Sequence, residues 1–191
     1  MTPVEQLERS LDDTRTLVEA VRDDQWDLPT PCAEWSVRDL VDHLTAGNRL
    51  FARALLGDPS STASGPDGIP SPSTPAAYRD SAAALLAAFS APGVMERVVT
   101  VPFGAVPGVV ALHLRLVESL VHGWDLARAT GQSPECDEEV AEQELRFTQQ
   151  KLADVPPDRS PFGPAQPVDA EAPALDRLAA CLGRDVDAPI A

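Results

Sequence analysis

Apolar residues recur along the first part of the chain at helical spacing. Val4, Leu7, Leu11, Thr14, Val18 and Val21 follow one another at steps of three and four, with charged residues between them, and this predicts an amphipathic helix over 3–24. The pattern breaks at WDLPTPCAEW, where Pro29 and Pro31 disfavour helix and Trp26 and Trp35 can fold back onto a core. A second helix is predicted from Val37. Ser36 is its N-cap, Asp39 stands three residues later as in a capping box, and Trp35 with Leu40 forms a hydrophobic staple. Its apolar face runs through Val37, Leu40, Val41, Leu44, Leu50, Phe51 and Leu55, and Gly57 is the expected stop.

Residues 57–75 hold five prolines and three glycines, with Ile69 the only large apolar residue, which predicts a flexible surface loop. Thr74 then caps, and Pro75 opens, an alanine-rich third helix. The β-branched run Arg97 to Phe103 reads as a short extended segment, and GAVPG after it as a turn. A long apolar helix is predicted from Val109 to Thr130 with Gly131 as C-cap, then helices over Asp137–Ala153 and Ala174–Leu182. The pattern predicts an all-α bundle in one domain spanning 1–191, with 156–191 a C-terminal extension packing on it.

Composition narrows the class. The chain has 191 residues, long enough for one domain with a substantial core. No apolar run approaches the length of a membrane span, and the acidic start MTPVEQLERSLDD lacks the basic and apolar regions of a secretory signal, so a cytoplasmic location is expected. Thirty acidic residues against fifteen basic ones give a net charge of −15, which argues against nucleic acid and anionic membranes as partners. Cys32, Cys136 and Cys181 are widely spaced and odd in number, and read as free thiols.

Candidate chemistry concentrates in ESLVHGWDLA, residues 118–127. On a helix, residues four apart lie about 40° apart around the axis, so Glu118 and His122 share a face and can share one ion. Asp125 lies roughly 20° from Glu118, and Arg115 one turn before it on the same side. Two readings stand. The line Arg115, Glu118, His122, Asp125 faces water, as the polar stripe of any amphipathic helix does, or it is enclosed and binds something. Apolar residues on most other sides of this helix favour enclosure. His113 lies about 180° from His122 and is expected at the surface or as a cap. His43 sits among Leu40, Val41 and Leu44, where a satisfied core histidine is the commoner role. Cys32 is expected to be a packed loop thiol, since His43 lies roughly 10 Å along the second helix from its start. The three tryptophans are expected to be core and loop anchors.

Three motifs together change the weight of these readings. WxxPTPCxEWSVRDLVDHL, then ExxxHGWDLARATG, then FGPAQPVDAEAPALDRLAACLGRD resemble a metal-binding family related to the mycothiol-dependent maleylpyruvate isomerase N-terminal domain and to DinB/YfiT-like bundles, over nearly the whole chain. The resemblance implies a DinB-like four-helix bundle, with a short extended segment or small hairpin before the metal-binding helix. It also implies one divalent metal held by His43, Glu118 and His122. Zinc is the first expectation and nickel or another divalent ion the alternative, because two imidazoles and a carboxylate suit zinc and leave a fourth position free. Asp125 is then expected to orient His122 or a bound water, with Asn48 and Arg115 as weaker pocket candidates. Arg115 would be available to an anionic substrate or would pair with Glu118.

In the thiol-dependent members of that family a low-molecular-weight thiol meets the metal and attacks an electrophile, which implies mycothiol or a similar thiol as co-substrate and a small-molecule electrophile as partner. A metal-dependent thiol transferase or isomerase is the first expectation. A non-catalytic metal- or ligand-binding bundle and a metal-dependent hydrolase are the alternatives, and a homodimer remains open. The isomerase carries a second, C-terminal domain that contributes to its active centre. Only about 60 residues follow Gly131 here, so maleylpyruvate itself is not the expected substrate.

Overall fold

The structure, a computed structural model, describes residues 1–32, 35–58, 74–101, 104–153, 155 and 162–188. Helix α1 (Pro3–Glu19) starts at a capping box in which Thr2 Oγ1 accepts from the Glu5 amide and Glu5 accepts from the Thr2 amide. It stops at Glu19, earlier than the apolar stripe predicts; Val21 still packs against the core from the turn that follows. Helix α2 (Val37–Leu55) begins where Ser36 and Asp39 predict, with both capping hydrogen bonds made. Thr74 caps α3 (Pro75–Phe89). Most of the predicted loop, 59–73, lies outside the described residues, as do 156–161 and 189–191 of the C-terminal extension.

Strands β1 (Val98–Val101) and β2 (Gly104–Pro107) pair antiparallel, with Val98 opposite Pro107 and Val101 opposite Gly104. The GAVPG segment is therefore a strand rather than a turn: a pairing partner decided its conformation, and proline and glycine content did not. Helix α4 (Gly108–Thr130) ends at Gly131, whose φ of +69° supplies the left-handed C-cap while Gln132 donates its amide back to Ala127. Helix α5 (Glu138–Leu152) is capped by Asp137, and α6 (Ala174–Cys181) closes the order.

Four helices form a ring in which α1 and α2 each touch both α3 and α4. Leu7 and Leu11, Leu40 and Leu44, Tyr78 and Leu85, and Leu112 and Leu116 meet inside it, all essentially inaccessible to solvent. Helices α5 and α6 pack together and against the outer side of α4. A helix flanked by α1 and α2 on one side and α5 and α6 on the other must be apolar almost all round, which explains the composition of α4. None of the described helices is long and apolar enough to cross a membrane.

Candidate metal centre

The polar line of α4 is enclosed. Arg115 is 2% exposed, His122 5% and Asp125 0%, so the water-facing reading of this stripe does not hold. Helix α2 brings His43 opposite the line: its Nε2 lies 3.0 Å from Glu118 Oε2, and His122 Nε2 lies 3.5 Å from the same oxygen. These three side chains offer donor atoms that all lie within 4.8 Å of one another. They open onto a cavity of about 450 Å³ bounded also by Pro31, Cys32, Trp35 and Arg184.

Behind His122 stands Asp125, with Nδ1 2.9 Å from Oδ2. Burial alone would raise the Asp125 carboxyl, but hydrogen bonds from His122 and Arg184 bring it below its ordinary value. An ionised carboxylate only accepts, so His122 Nδ1 carries the proton and Nε2 faces Glu118 and the cavity. Arg184, from the segment after α6, grips the same carboxylate with Nε and Nη2 at 3.2 and 2.8 Å. Its guanidinium is itself raised, because the partnership with Asp125 outweighs desolvation.

Glu118 is treated similarly. Desolvation opposes its charge, but hydrogen bonds from His122 and His43 and the nearby Arg115 cation hold the carboxyl well below the ordinary range. His122 is raised in turn: burial acts against its proton, while Asp125 and Glu118 act for it more strongly. His43 Nδ1 is buried with no partner among the described residues, and Nε2 is its one engaged nitrogen.

Arg115 is turned toward Asn48, Glu118 and Phe51 rather than into the cavity. Its Nη2 donates to Asn48 Oδ1 at 2.8 Å, its Nη1 lies 3.8 Å from Glu118, and it stacks over Phe51. Asn48, fully buried, donates in turn to Ser81 at 3.2 Å. Both residues lie behind Glu118 inside the bundle, and neither is among the described residues that line the cavity. His113 is on the far side of α4, as its angle requires, but it is no loose surface residue. Nδ1 lies 2.8 Å from the fully buried Glu144, and the ring stacks on Phe147.

Cys32 and Trp35 pack against the core as expected, but the loop before α2 sets them nearer the histidines than the sequence suggests. Val37 and Arg38 donate their amides to Leu28 and Trp26, and Thr30 donates its amide to Trp35, so the chain doubles back across the start of the helix. That fold puts Cys32 with His122 and Asp125 as a second set of donor atoms within 4.8 Å, closer than distance along the helix suggested. Burial pushes the Cys32 thiol up to about 11, which keeps it protonated and a poor ligand as it stands. The doubling also lays Trp35 over the histidines, 4.4 Å from the His43 ring and 5.7 Å from His122, so it lines the site instead of only anchoring the loop. Trp124 does anchor, donating its indole N–H to Asp176 at 2.7 Å. Arg184 escaped sequence reasoning altogether. Its signal was the closing CLGRD of the third motif, in which nothing marked the arginine as a partner for Asp125.

The sequence matches the family described as the mycothiol maleylpyruvate isomerase N-terminal domain over residues 7–127. An uncharacterized protein of Mycobacterium tuberculosis, present in two strains, is 38% identical over 189 residues, which is 97% of this chain and 100% of that protein. Crystal structures of the mycothiol-dependent maleylpyruvate isomerase share the fold. The isomerase itself superposes with a TM-score of 0.56 at 16% identity, and a histidine-to-alanine mutant of it with 0.61 at 13%. Each superposition covers 78% of this chain and 68% of that one. The bundle expected from the resemblance is therefore the fold observed, with the small hairpin before α4 as the extended element. The family match takes in His43, Glu118, His122 and Asp125 and ends before Arg184.

Proposed function

From the premise that this chain belongs to the family of the mycothiol maleylpyruvate isomerase N-terminal domain, we propose that it binds one divalent metal ion through His43, Glu118 and His122 and promotes transfer of a low-molecular-weight thiol to a small electrophile. The observation that carries the reading is the convergence of two imidazole nitrogens and one carboxylate oxygen on a cavity of about 450 Å³. Ligands about 2.1 Å from a tetrahedral ion stand about 3.4 Å apart, and the 3.0 and 3.5 Å separations fit that edge. The donor set also suits zinc, with both histidines presenting Nε2. A bound divalent cation would let a coordinated thiol ionise near neutral pH, and the thiolate is the nucleophile.

The protein's own groups prepare that chemistry. Asp125 holds a proton on His122 Nδ1, so that Nε2, once it gives up its own proton, is the nitrogen that would ligate, while Arg184 balances the charge of Asp125. Trp35 covers both imidazoles and limits water at the donors. Arg115, held by Asn48, stabilises the Glu118 carboxylate from the dry side. The mycothiol-type thiol is supported by family membership, and a thiol other than mycothiol would satisfy the same geometry.

Elemental analysis of untreated protein comes first, with stoichiometric divalent metal expected and lost in His43→Ala and Glu118→Gln. Conjugation of mycothiol to a generic enone should then require metal and fall to background in His43→Ala. Turnover with water alone would replace the reading with hydrolysis, and metal binding without either turnover would replace it with a binding protein.

A further inference from the structure

A second cavity of about 280 Å³ adjoins the first, sharing Glu118, Phe162 and Leu182 as lining. Its other walls are almost wholly apolar, built from Val110, Leu114 and Val117 of α4 and Phe147 and Leu152 of α5. The α4 wall from Val110 to Glu118 spans two turns, roughly 12 Å. Helices α4 and α5 run antiparallel here. Leu120 neighbours Val140, and His113 meets Glu144, so the chamber extends from Glu118 toward the start of α4.

One polar group in this lining is conspicuous. Thr148 is 5% exposed, and its hydroxyl has no partner among the described residues. Thr14, Thr45 and Thr130 are also helical and buried, and each turns its hydroxyl back to the carbonyl four residues earlier. Thr148 makes no such bond and lines the chamber. A buried hydroxyl left unsatisfied in an apolar space is costly unless a ligand supplies its partner.

We infer that the chamber takes the apolar arm of the electrophile, an alkyl or aryl chain with one hydrogen-bond acceptor within reach of Thr148, while the reacting end lies at His43, Glu118 and His122. The inference rests on the thiol-transfer reading above and narrows its substrate class. A compact polyanion would leave the apolar walls unused. Among the described residues lining the two cavities, Lys151 and Arg184 are the lysine and arginine present, and Arg184 is already committed to Asp125.

Calorimetric titration of the untreated protein with saturated methyl ketones, from pentanone to undecanone, tests it. Affinity should rise roughly fourfold per methylene until the chamber is full. Leu114→Phe, which fills the space, should flatten that rise, and Thr148→Val should weaken the longer ketones about fivefold. A flat series in the wild-type protein overturns the inference, whether or not either variant folds. Mycothiol transfer to pentenone, run in parallel, separates the two claims. Transfer with a flat series removes the chamber alone. A rising series without transfer keeps the chamber as a ligand site and removes the thiol chemistry.

Discussion

Arg184 holds Asp125 through two nitrogens, Nε at 3.2 Å from Oδ1 and Nη2 at 2.8 Å from Oδ2, and Oδ2 is also the atom that faces His122 Nδ1. One carboxylate thus joins the C-terminal segment to the donor line of α4, and all three side chains are buried. Replacing Arg184 by methionine leaves that charge without its cation. The expected loss is about 3–5 kcal/mol in urea unfolding, with Arg184→Lys recovering only part because an ammonium cannot reproduce the fork. A loss under about 1 kcal/mol would show that Asp125 finds another partner.

Asp125→Asn tests orientation rather than charge balance. The amide can offer His122 either an oxygen or a nitrogen, so the proton is no longer confined to Nδ1. Zinc affinity, measured by competition with a chelating dye, should fall about 10- to 100-fold with the helical circular dichroism retained. Unchanged affinity would mean that Asp125 has no part in holding His122.

Gly47 gives a prediction whose sign is informative. In the interior of an exposed helix, glycine to alanine stabilises by about 1 kcal/mol. At Gly47 an added Cβ would lie 2.6 Å from Arg115 Nη1, forcing the guanidinium off Asn48 and Glu118. Gly47→Ala is therefore expected to destabilise by about 1–3 kcal/mol in the same unfolding assay, and a gain would show that Arg115 relocates freely.

Helix positions were legible because caps and periodicity are local. Ser36, Thr74, Asp137 and Gly131 mark boundaries that the structure reproduces within a residue. The angles on α4 likewise separated Glu118, His122 and Asp125 from His113. What periodicity could not carry was anything made by two distant segments. The β2 pairing, the doubling of the loop that delivers Cys32 and Trp35, and the reach of Arg184 to Asp125 depend on where the chain returns in space. The pairing of Arg115 with Asn48 escaped for the same reason: the two lie 67 residues apart on different helices.

Alkaline pH should expose a separate feature of the core. Tyr78 is fully buried, and desolvation pushes its phenol from 10.0 up to about 12. The folded value exceeds the unfolded one, so this contribution is complete below about pH 10 and is lost as pH rises through about 12. A shift of that size corresponds to roughly 2–3 kcal/mol. Urea midpoints compared between about pH 9 and about pH 12 should fall further for the wild-type protein than for Tyr78→Phe. Equal falls would mean that the phenol is solvated before global unfolding.

The position of Arg184 near the end of the chain also bears on assembly. Helices α1 to α4, which carry all three donor side chains, emerge from the ribosome first, and Asp125 then waits without its cation while about 60 further residues are made. Until Arg184 arrives, Asp125 faces His122 without the second cation that shares its charge. In a chain clipped behind α6, Asp125 would keep its contact with His122 and lose the guanidinium that balances its charge.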